Sequence, residues 1–401
     1  MLLYRGVFAL GLACAALPAV AEVSFDAAER AAILRHGPWP MAVPRDPSNR
    51  VSGQPAAIEF GEVLFRSKRL SASGGTACGR CHDPDKAWTD APRRTWLGDR
   101  GRPPPPGDLH RNTTGLWNTG LARWWGWGGG SDSLWAFVIR PLEHPVEMGG
   151  GAAHVARLMR EDAEFNCRYA RVFGAPTAED HAVMVNVAKA IAAFVETLVS
   201  PRTRFDEFRD ALERGDAAAM TRYPAAAQRG LKTFVGHGRC SVCHFGPAFT
   251  TGEFADIGVP FFIPGGGVDA GRHAGLARLR ADAHNLLGAW NDDPARSTAD
   301  KTKFVEAQPR NFGEFKVPGL REAAHTRPYM HAGSHATLAD VVKHYSELNE
   351  DRLHADGERI LRPLKLSAAD AADLVAFLES LSTNPRYVSA PPSRCDAPRT
   401  R

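Results

Sequence analysis

The pentad Cys-x-x-Cys-His occurs twice in this chain, at residues 78–82 and 240–244. In a c-type haem site, two thiols add to the two vinyl groups of the porphyrin, and the adjacent histidine becomes the proximal iron ligand. A structural zinc site would need four ligands together, and each pentad supplies three without a second cysteine or histidine pair close by. We therefore predict two covalent haems, held by Cys78, Cys81 and His82 and by Cys240, Cys243 and His244.

Residues 1–21 have the features of a cleaved signal peptide. Arg5 precedes an apolar run over residues 6–16, and the small residues 19–21 (Ala-Val-Ala) fit a cleavage site. The run is too short to span a bilayer. A lipoprotein anchor at Cys14 is the alternative, but the three residues before it match that signal poorly. We expect an exported, periplasmic protein with no membrane span.

The remaining composition restricts the function classes further. The chain has 49 basic and 45 acidic residues and a net charge of +4, without a long run of one sign. This balance gives no case for nucleic-acid binding. Apart from the haem cysteines and Cys14, only Cys167 and Cys395 remain. An oxidising compartment permits a disulfide between them, but the sequence leaves open whether they are close.

The two pentads lie 162 residues apart, and each follows a helical pattern, which indicates two similar haem units. We predict a mainly α fold with two cytochrome c-like domains and long loops. The predicted helices cover residues 56–70, 152–173, 182–198, 224–234, 338–348 and 368–381. The predicted domains are residues 22–204 and 224–401, joined by a linker over residues 205–223.

Six short motifs accompany the pentads, three between them and three after the second. They are Arg-Asn-Thr at 111–113, Trp-Trp-Gly-Trp at 124–127, Pro-Leu-Glu-His-Pro-Val-Glu-Met at 141–148, Phe-Lys-Val-Pro at 315–318, Thr-Arg-Pro-Tyr-Met-His at 326–331 and Ala-Thr-Leu at 336–338. In order and spacing, the chain resembles the bacterial di-haem cytochrome c peroxidase and MauG family over most of residues 56–381. The resemblance implies two haems that face a shared interface and hydrogen peroxide as a substrate.

The resemblance also implies roles for four residues. Glu147 would move the peroxide proton at the open face of the first haem, and Pro141 would line that pocket. Trp127 would relay electrons between the haems, and Lys316 would contact haem. By residue type alone, Glu147 is a capping or surface acid and Trp127 a packing aromatic. One departure is Phe137, which stands where the family often has glutamine.

A calcium site between the haems is a further implication of the resemblance. Its ligands would be the side chain of Asn112 and the main-chain carbonyls of Thr326 and Pro328. These are hard oxygen donors, which calcium prefers. Without the resemblance, Asn112 would be interpreted as a turn residue.

The sixth ligand of the second iron separates the branches of this family. Peroxidases place a methionine fourteen residues after the histidine that corresponds to His331; here that position is Tyr345, and no methionine follows Met330. MauG-type enzymes have tyrosine at this place. A phenolate ligand stabilises oxidised iron and lowers its potential. His335 and His344 are the rival ligands.

The first haem also differs from the peroxidase pattern. Peroxidases carry a blocking histidine sixteen residues after the haem histidine, and here that position is Gly98. The next histidine, His110, is displaced. We therefore expect a first iron that is open to peroxide without prior reduction.

These expectations favour a MauG-like enzyme that oxidises a substrate, including a side chain of a partner protein, at a distance. The first alternative is a cytochrome c peroxidase that takes electrons from a small redox partner, and the second is a di-haem electron carrier. MauG passes oxidising equivalents through a surface tryptophan two residues before the second pentad, but this chain has Gly238 there. The resemblance therefore does not identify the substrate.

Overall fold

The computed structural model describes residues 23–90, 111–259, 262–263, 267–357, 360–383, 385–389, 391–393 and 395. The predicted signal peptide, Gly98 and His110 lie outside these residues. The described chain is mainly α-helical, as predicted. No helix within it is long and apolar enough to cross a membrane.

The helices are α1 (Ala27–Leu34), α2 (Pro55–Arg66), α3 (Cys78–Cys81), α4 (Leu134–Glu143), α5 (Gly151–Glu161), α6 (Ala163–Phe173), α7 (Asp180–Val195), α8 (Arg204–Arg214), α9 (Ala217–Met220), α10 (Ala225–Val235), α11 (Arg272–Ala281), α12 (Asp300–Lys303), α13 (Leu338–Ser346) and α14 (Ala368–Ser380). Strand β1 (Phe254–Ala255) pairs antiparallel with β4 (Phe315–Lys316), and β2 (Phe262–Ile263) pairs antiparallel with β3 (Gly267–Val268). Long loops join these elements.

The chain builds two main hydrophobic cores. The first involves α2, α4, α5, α6 and α7, with Phe60, Trp135 and Phe194 fully buried. The second involves α8, α10, α13 and α14, with Phe205, Phe234 and Phe377 fully buried. The two helix pairs that pack most extensively are α2 with α7 and α10 with α14. One haem pentad follows α2 in the chain, and the other follows α10.

Two glycines permit those crossings. A Cβ added at Gly61 would collide with the carbonyl oxygen of Ala190 in α7. A Cβ added at Gly230 would collide in the same way with the carbonyl oxygen of Asp373 in α14. Because glycine lets two backbones approach this closely, both units repeat one helix packing. The weak repeat seen in the sequence therefore corresponds to a structural repeat.

One sequence expectation needs correction, and the predicted linker contains helices that the sequence did not predict. The helix predicted over residues 152–173 is two helices, because the Asp162 side chain accepts a hydrogen bond from Phe165 N and caps α6. Residues 205–223, predicted to be a linker, form α8 and α9. Phe205, Phe208 and Leu212 recur at helical spacing and are buried in the second core. The many charges of α8 concealed this apolar face in the sequence.

Each end of the described chain packs against the other unit. Ile33 of α1 is buried in the second core. The C-terminal segment returns to the first unit, where Cys395 forms a disulfide with Cys167 of α6. The pairing that the sequence left open is therefore present in the structure.

Candidate haem and peroxide sites

The first pentad forms a single helical turn, α3, that ends at His82. The Nδ1 of His82 donates to the carbonyl oxygen of Trp88 at 3.1 Å. This bond fixes the tautomer in which Nε2 carries a lone pair, the form that binds iron. Burial lowers the pKa of His82, which also favours the neutral ligand form.

The second pentad repeats this arrangement. The Nδ1 of His244 donates to the carbonyl oxygen of Phe249 at 3.1 Å, and burial again lowers the histidine pKa. Trp88 and Phe249 both have positive φ, 61° and 54°, which is rare for aromatic residues. In both units, this turn brings a carbonyl to the haem histidine. No sequence pattern predicted it, because large aromatics normally avoid this region.

The cysteines lie in apolar surroundings that suit a porphyrin edge. Burial raises the pKa of Cys78 and of Cys240 to about 12. Burial also raises the pKa of Cys81 to about 11. The residues of both pentads thus fit a covalently attached haem in donor type, spacing and histidine orientation.

Glu147 lies in a turn just after α4. Its backbone N–H donates to the carbonyl oxygen of His144 at 3.0 Å, and the next residue, Met148, donates to the carbonyl oxygen of Pro141 at 3.1 Å. The Glu147 carboxylate contributes to the raised pKa of both Cys78 and Cys81. The turn therefore brings the Glu147 carboxylate towards the first pentad, and the Met148 bond connects the turn to Pro141.

Tyr345 stands in the same relation to the second pentad. Burial, followed by the electrostatic effects of Cys240 and Cys243, raises its pKa above the usual range. The rival ligands are bonded elsewhere, since His344 Nε2 donates to the carbonyl oxygen of Ile257 at 2.7 Å. His335 Nδ1 lies 2.9 Å from the hydroxyl of Ser334. Of the three candidates, Tyr345 is the one linked to the haem cysteines.

The remaining predicted residues meet at a junction between the two units. The indole Nε1 of Trp127 donates to the carbonyl oxygen of Asn112 at 2.8 Å. The backbone carbonyl of Trp127 accepts from Lys316 N at 2.8 Å. Asn112 N donates to the carbonyl oxygen of His331 at 2.6 Å, and its side-chain amide contacts the carbonyl oxygen of Pro328. One cluster thus joins residues that are about 200 positions apart in the chain.

Thr326 lies two residues before Pro328 in the chain. Its hydroxyl donates to the carbonyl oxygen of Ala323 at 3.2 Å. The donor set offered by Asn112 and Pro328 consists of amide and carbonyl oxygens. That chemistry fits calcium rather than a soft metal.

Lys316 is half-buried, and its ammonium group lies against the tryptophan motif. Its Nζ donates to the carbonyl oxygen of Trp124 at 2.6 Å. Burial lowers its pKa to about 8. The structure thus links Lys316 to the backbone of both Trp124 and Trp127.

The tryptophans of the 124–127 motif differ in the number of cations near their rings. The sequence did not predict this difference. The Trp124 ring is approached by Arg272 at 4.3 Å, Lys301 at 5.6 Å and Arg123 at 5.7 Å. Lys301 also lies 5.5 Å from the Trp125 ring. No cation–π contact in the described part of the chain involves Trp127. Removal of an electron creates a positive charge, which neighbouring cations disfavour.

Two departures from the family pattern have structural causes. The Phe137 ring lies against Gly126, where a Cβ would approach it to 3.0 Å, and Arg140 stacks on that ring at 5.4 Å. Gly238 is buried, and a Cβ there would lie 2.6 Å from the carbonyl oxygen of Thr233. The backbone at Gly238 therefore leaves no room for a tryptophan.

Sequence comparisons relate the chain to known proteins. Residues 55–214 match the family model described as di-haem cytochrome c peroxidase. The chain is 33% identical over 378 residues to cytochrome-c peroxidase IdrP1 of Denitromonas iodatirespirans, covering 92% of this chain and 91% of the relative. It is 30% identical over 391 residues to the methylamine utilization protein MauG of Methylorubrum extorquens, covering 98% and 95%.

Solved structures share the fold. A MauG-like protein associated with microbial copper homeostasis superposes with a TM-score of 0.63 at 24% identity, covering 86% of this chain and 94% of that chain. The di-haem peroxidase BthA from Burkholderia thailandensis also gives a TM-score of 0.63, at 22% identity, covering 88% and 93%. Both likenesses support the architecture of two cytochrome c-like domains.

Proposed function

Because the chain belongs to the di-haem cytochrome c peroxidase and MauG family, we propose that it is a MauG-like periplasmic enzyme. It cleaves hydrogen peroxide at the N-terminal haem site. It shares the two oxidising equivalents with the C-terminal haem site and uses them to oxidise a reductant, including a side chain of a partner protein. The N-terminal site belongs to residues 22–204 and the C-terminal site to residues 224–401.

The observation that carries this proposal is the position of Tyr345. It occupies the place of the methionine of cytochrome c peroxidases, and its pKa responds to Cys240 and Cys243. A phenolate donor lowers the potential of the second iron and makes it a poor collector of electrons from a small cytochrome. Such a site instead suits the storage of an oxidising equivalent.

At the first site, a haem held by Cys78, Cys81 and His82 would supply an iron that binds peroxide. The Glu147 carboxylate takes the proton from the inner peroxide oxygen and returns it to the outer oxygen, which leaves as water. Pro141 provides an apolar wall that keeps other water out. Phe137 offers no hydrogen bond, so Glu147 works without the amide that the family often places there.

Between the sites, Trp127 serves as the electron relay. The carbonyl of Asn112 accepts a hydrogen bond from its indole, which stabilises positive charge on the oxidised ring. Three cations lie near the Trp124 ring. One carboxylate also lies there, because the Nε1 of Trp124 donates to Glu253 Oε2 at 3.3 Å. The electrostatics therefore favour oxidation of Trp127 over Trp124.

A calcium ion bound by Asn112, Thr326 and Pro328 completes the proposed junction. It would hold the 111–113 and 326–331 segments together with oxygen donors. Metal analysis of the purified holoprotein tests this assignment. We expect one calcium per chain and its loss in Asn112→Ala.

The experiment that tests the proposed function compares two reactions of the resting holoprotein. Added peroxide should produce a long-lived two-electron-oxidised state without prior reduction. Brisk turnover of reduced small cytochromes would instead support the cytochrome c peroxidase alternative, which the likeness to IdrP1 favours. Absence of both reactions would leave the electron-carrier alternative.

A further inference from the structure

The C-terminal segment places a tyrosine next to the first haem site. We define the C-terminal strap as the described residues among 385–395. Its Ser393 donates from N and Oγ to the Glu59 carboxylate of α2 at 3.1 and 2.7 Å, and its Cys395 is bonded to Cys167. These links hold Tyr387 against Trp88 with a ring-centroid distance of 5.0 Å.

Trp88 connects that tyrosine to the first pentad. It is fully buried, and its carbonyl accepts the Nδ1 hydrogen bond of His82. Among the described residues, its buried indole Nε1 has no hydrogen-bond partner. No described side chain therefore accepts the indole proton, so oxidation of Trp88 removes an electron and leaves the proton on the ring. An oxidised Trp88 would then take an electron from the nearest oxidisable ring.

Tyr387 is suited to give that electron. Its hydroxyl is hydrogen-bonded to the Glu62 carboxylate, and burial together with Glu62 raises its pKa to about 12. The phenol therefore keeps its proton in the resting protein, and the Glu62 carboxylate can accept that proton when the ring is oxidised. Arg66 lies 5.7 Å from the ring and is paired with Glu62 at 3.1 Å. Since the phenol loses its proton with its electron, the oxidised ring is neutral and Arg66 does not repel it.

We propose that Trp88 and Tyr387 form an oxidation relay from the first haem site to the protein surface, where the reductant is a phenol. This inference rests on the proposed peroxide chemistry and names its exit. Tyr387 is half-buried, so its ring reaches the surface. The alternative exit before the second pentad has no room for a side chain, because Gly238 abuts Thr233.

The electrons and protons balance over two cycles. In each cycle, Tyr387 gives one electron to oxidised Trp88 and its phenol proton to Glu62, which releases it to solvent. An external phenol then returns one electron and one proton to Tyr387. Two phenols thus supply the two electrons and two protons that convert one hydrogen peroxide into two water molecules.

The test traps the oxidised side chain rather than measuring turnover. Holoprotein is mixed with peroxide and a nitroso spin trap, and the adduct is located by peptide mass spectrometry. We expect an adduct on Tyr387 that is lost in Tyr387→Phe and in Trp88→Phe, which retains the backbone carbonyl for His82. Glu62→Gln should lose it as well, because the amide cannot accept the proton. Tyr169→Phe is the matched control, since Tyr169 lies in the same core and is bonded to Asn186.

The outcomes separate this inference from the proposed function. Peroxide reacting with the wild-type haems without an adduct at Tyr387, or an adduct unchanged in Trp88→Phe, would overturn the relay alone. Absence of any peroxide reaction would overturn both. Guaiacol and a tyrosine-containing peptide distinguish a small phenol from a protein-borne one. Loss of oxidation of either probe in Tyr387→Phe supports the relay, and unchanged oxidation of both refutes it.

Discussion

Pro141 and Tyr345 occupy equivalent positions in the two units. Each lies eight residues after the side chain that caps its helix, Ser133 for α4 and Thr337 for α13. One pattern of cap and helix thus carries a proline ring in the first unit and a phenol in the second. Under the proposed function, this exchange gives the second iron a ligand that Pro141 cannot supply to the first.

The first prediction concerns Tyr345. We expect Tyr345→Phe to change the absorption and electron paramagnetic resonance spectra of the second haem, because the phenolate ligand is removed. Tyr345→Met should raise the potential of that haem, since a thioether favours reduced iron. His344→Gln is the matched control, because the Nε2 of His344 is bonded to Ile257. Unchanged spectra in Tyr345→Phe, with changed spectra in His344→Gln, would assign the ligand to the histidine.

The second prediction concerns proton transfer at the first site. Glu147→Gln should retain both haems and slow the reaction with peroxide by about 10²–10⁴-fold, the usual contribution of a placed acid–base group. Stopped-flow absorption measures this rate. Glu143→Gln provides the control, because Glu143 is an exposed carboxylate at the end of α4, four residues before Glu147. Equal rates in the two variants would remove Glu147 from the mechanism.

The sequence predicted the parts of this molecule that are local. The pentads, the capped α13 and the apolar repeat of α7 follow from short-range patterns, and the structure has a helix or helical turn at each. The Thr337 cap forms with Asp340 as expected. Family resemblance, rather than periodicity, singled out Trp127 and Asn112, because their contact depends on how distant loops meet.

Other features depended on tertiary context and could not be predicted. The positive φ of Trp88 and Phe249 is imposed by packing around each histidine, against their intrinsic preference. The helix α8 was missed because its mean composition is polar. The strap was missed because Tyr387 and Cys395 have no local pattern, and tertiary contacts such as the disulfide and the Glu59 bonds bring them to the first unit.

The third prediction separates the tryptophans at the junction. Trp127→Phe should slow the exchange of oxidising equivalents between the haems, whereas Trp124→Phe should leave it close to wild type. The reason is that Arg272, Lys301 and Arg123 disfavour positive charge on Trp124. Time-resolved spectra of both haems after peroxide addition provide the measurement. A slow exchange in both variants would indicate that the motif acts through packing.

The last prediction links pH to folding through Glu196, at the end of α7. Burial raises its pKa to about 7. Its Oε1 has no hydrogen-bond partner among the described residues, while Oε2 accepts from Ser52 at 2.6 Å. A carboxyl whose pKa is raised on folding binds more protons in the folded state. Stability should therefore fall as the pH rises from about 4.5 to 7 and then remain lower.

Glu196→Gln removes this titration and retains an oxygen that can accept from Ser52. We expect the variant to be more stable than wild type at pH 8, by on the order of 2 kcal/mol, and nearly equal at pH 4.5. Denaturant unfolding of the holoprotein at both pH values measures the difference, which cancels groups that titrate alike in both proteins. Asp46→Asn is the companion variant, because the Asp46 charge also raises the pKa of Glu196. A stability difference that is independent of pH would show that the pKa of Glu196 is the same in the folded and unfolded protein.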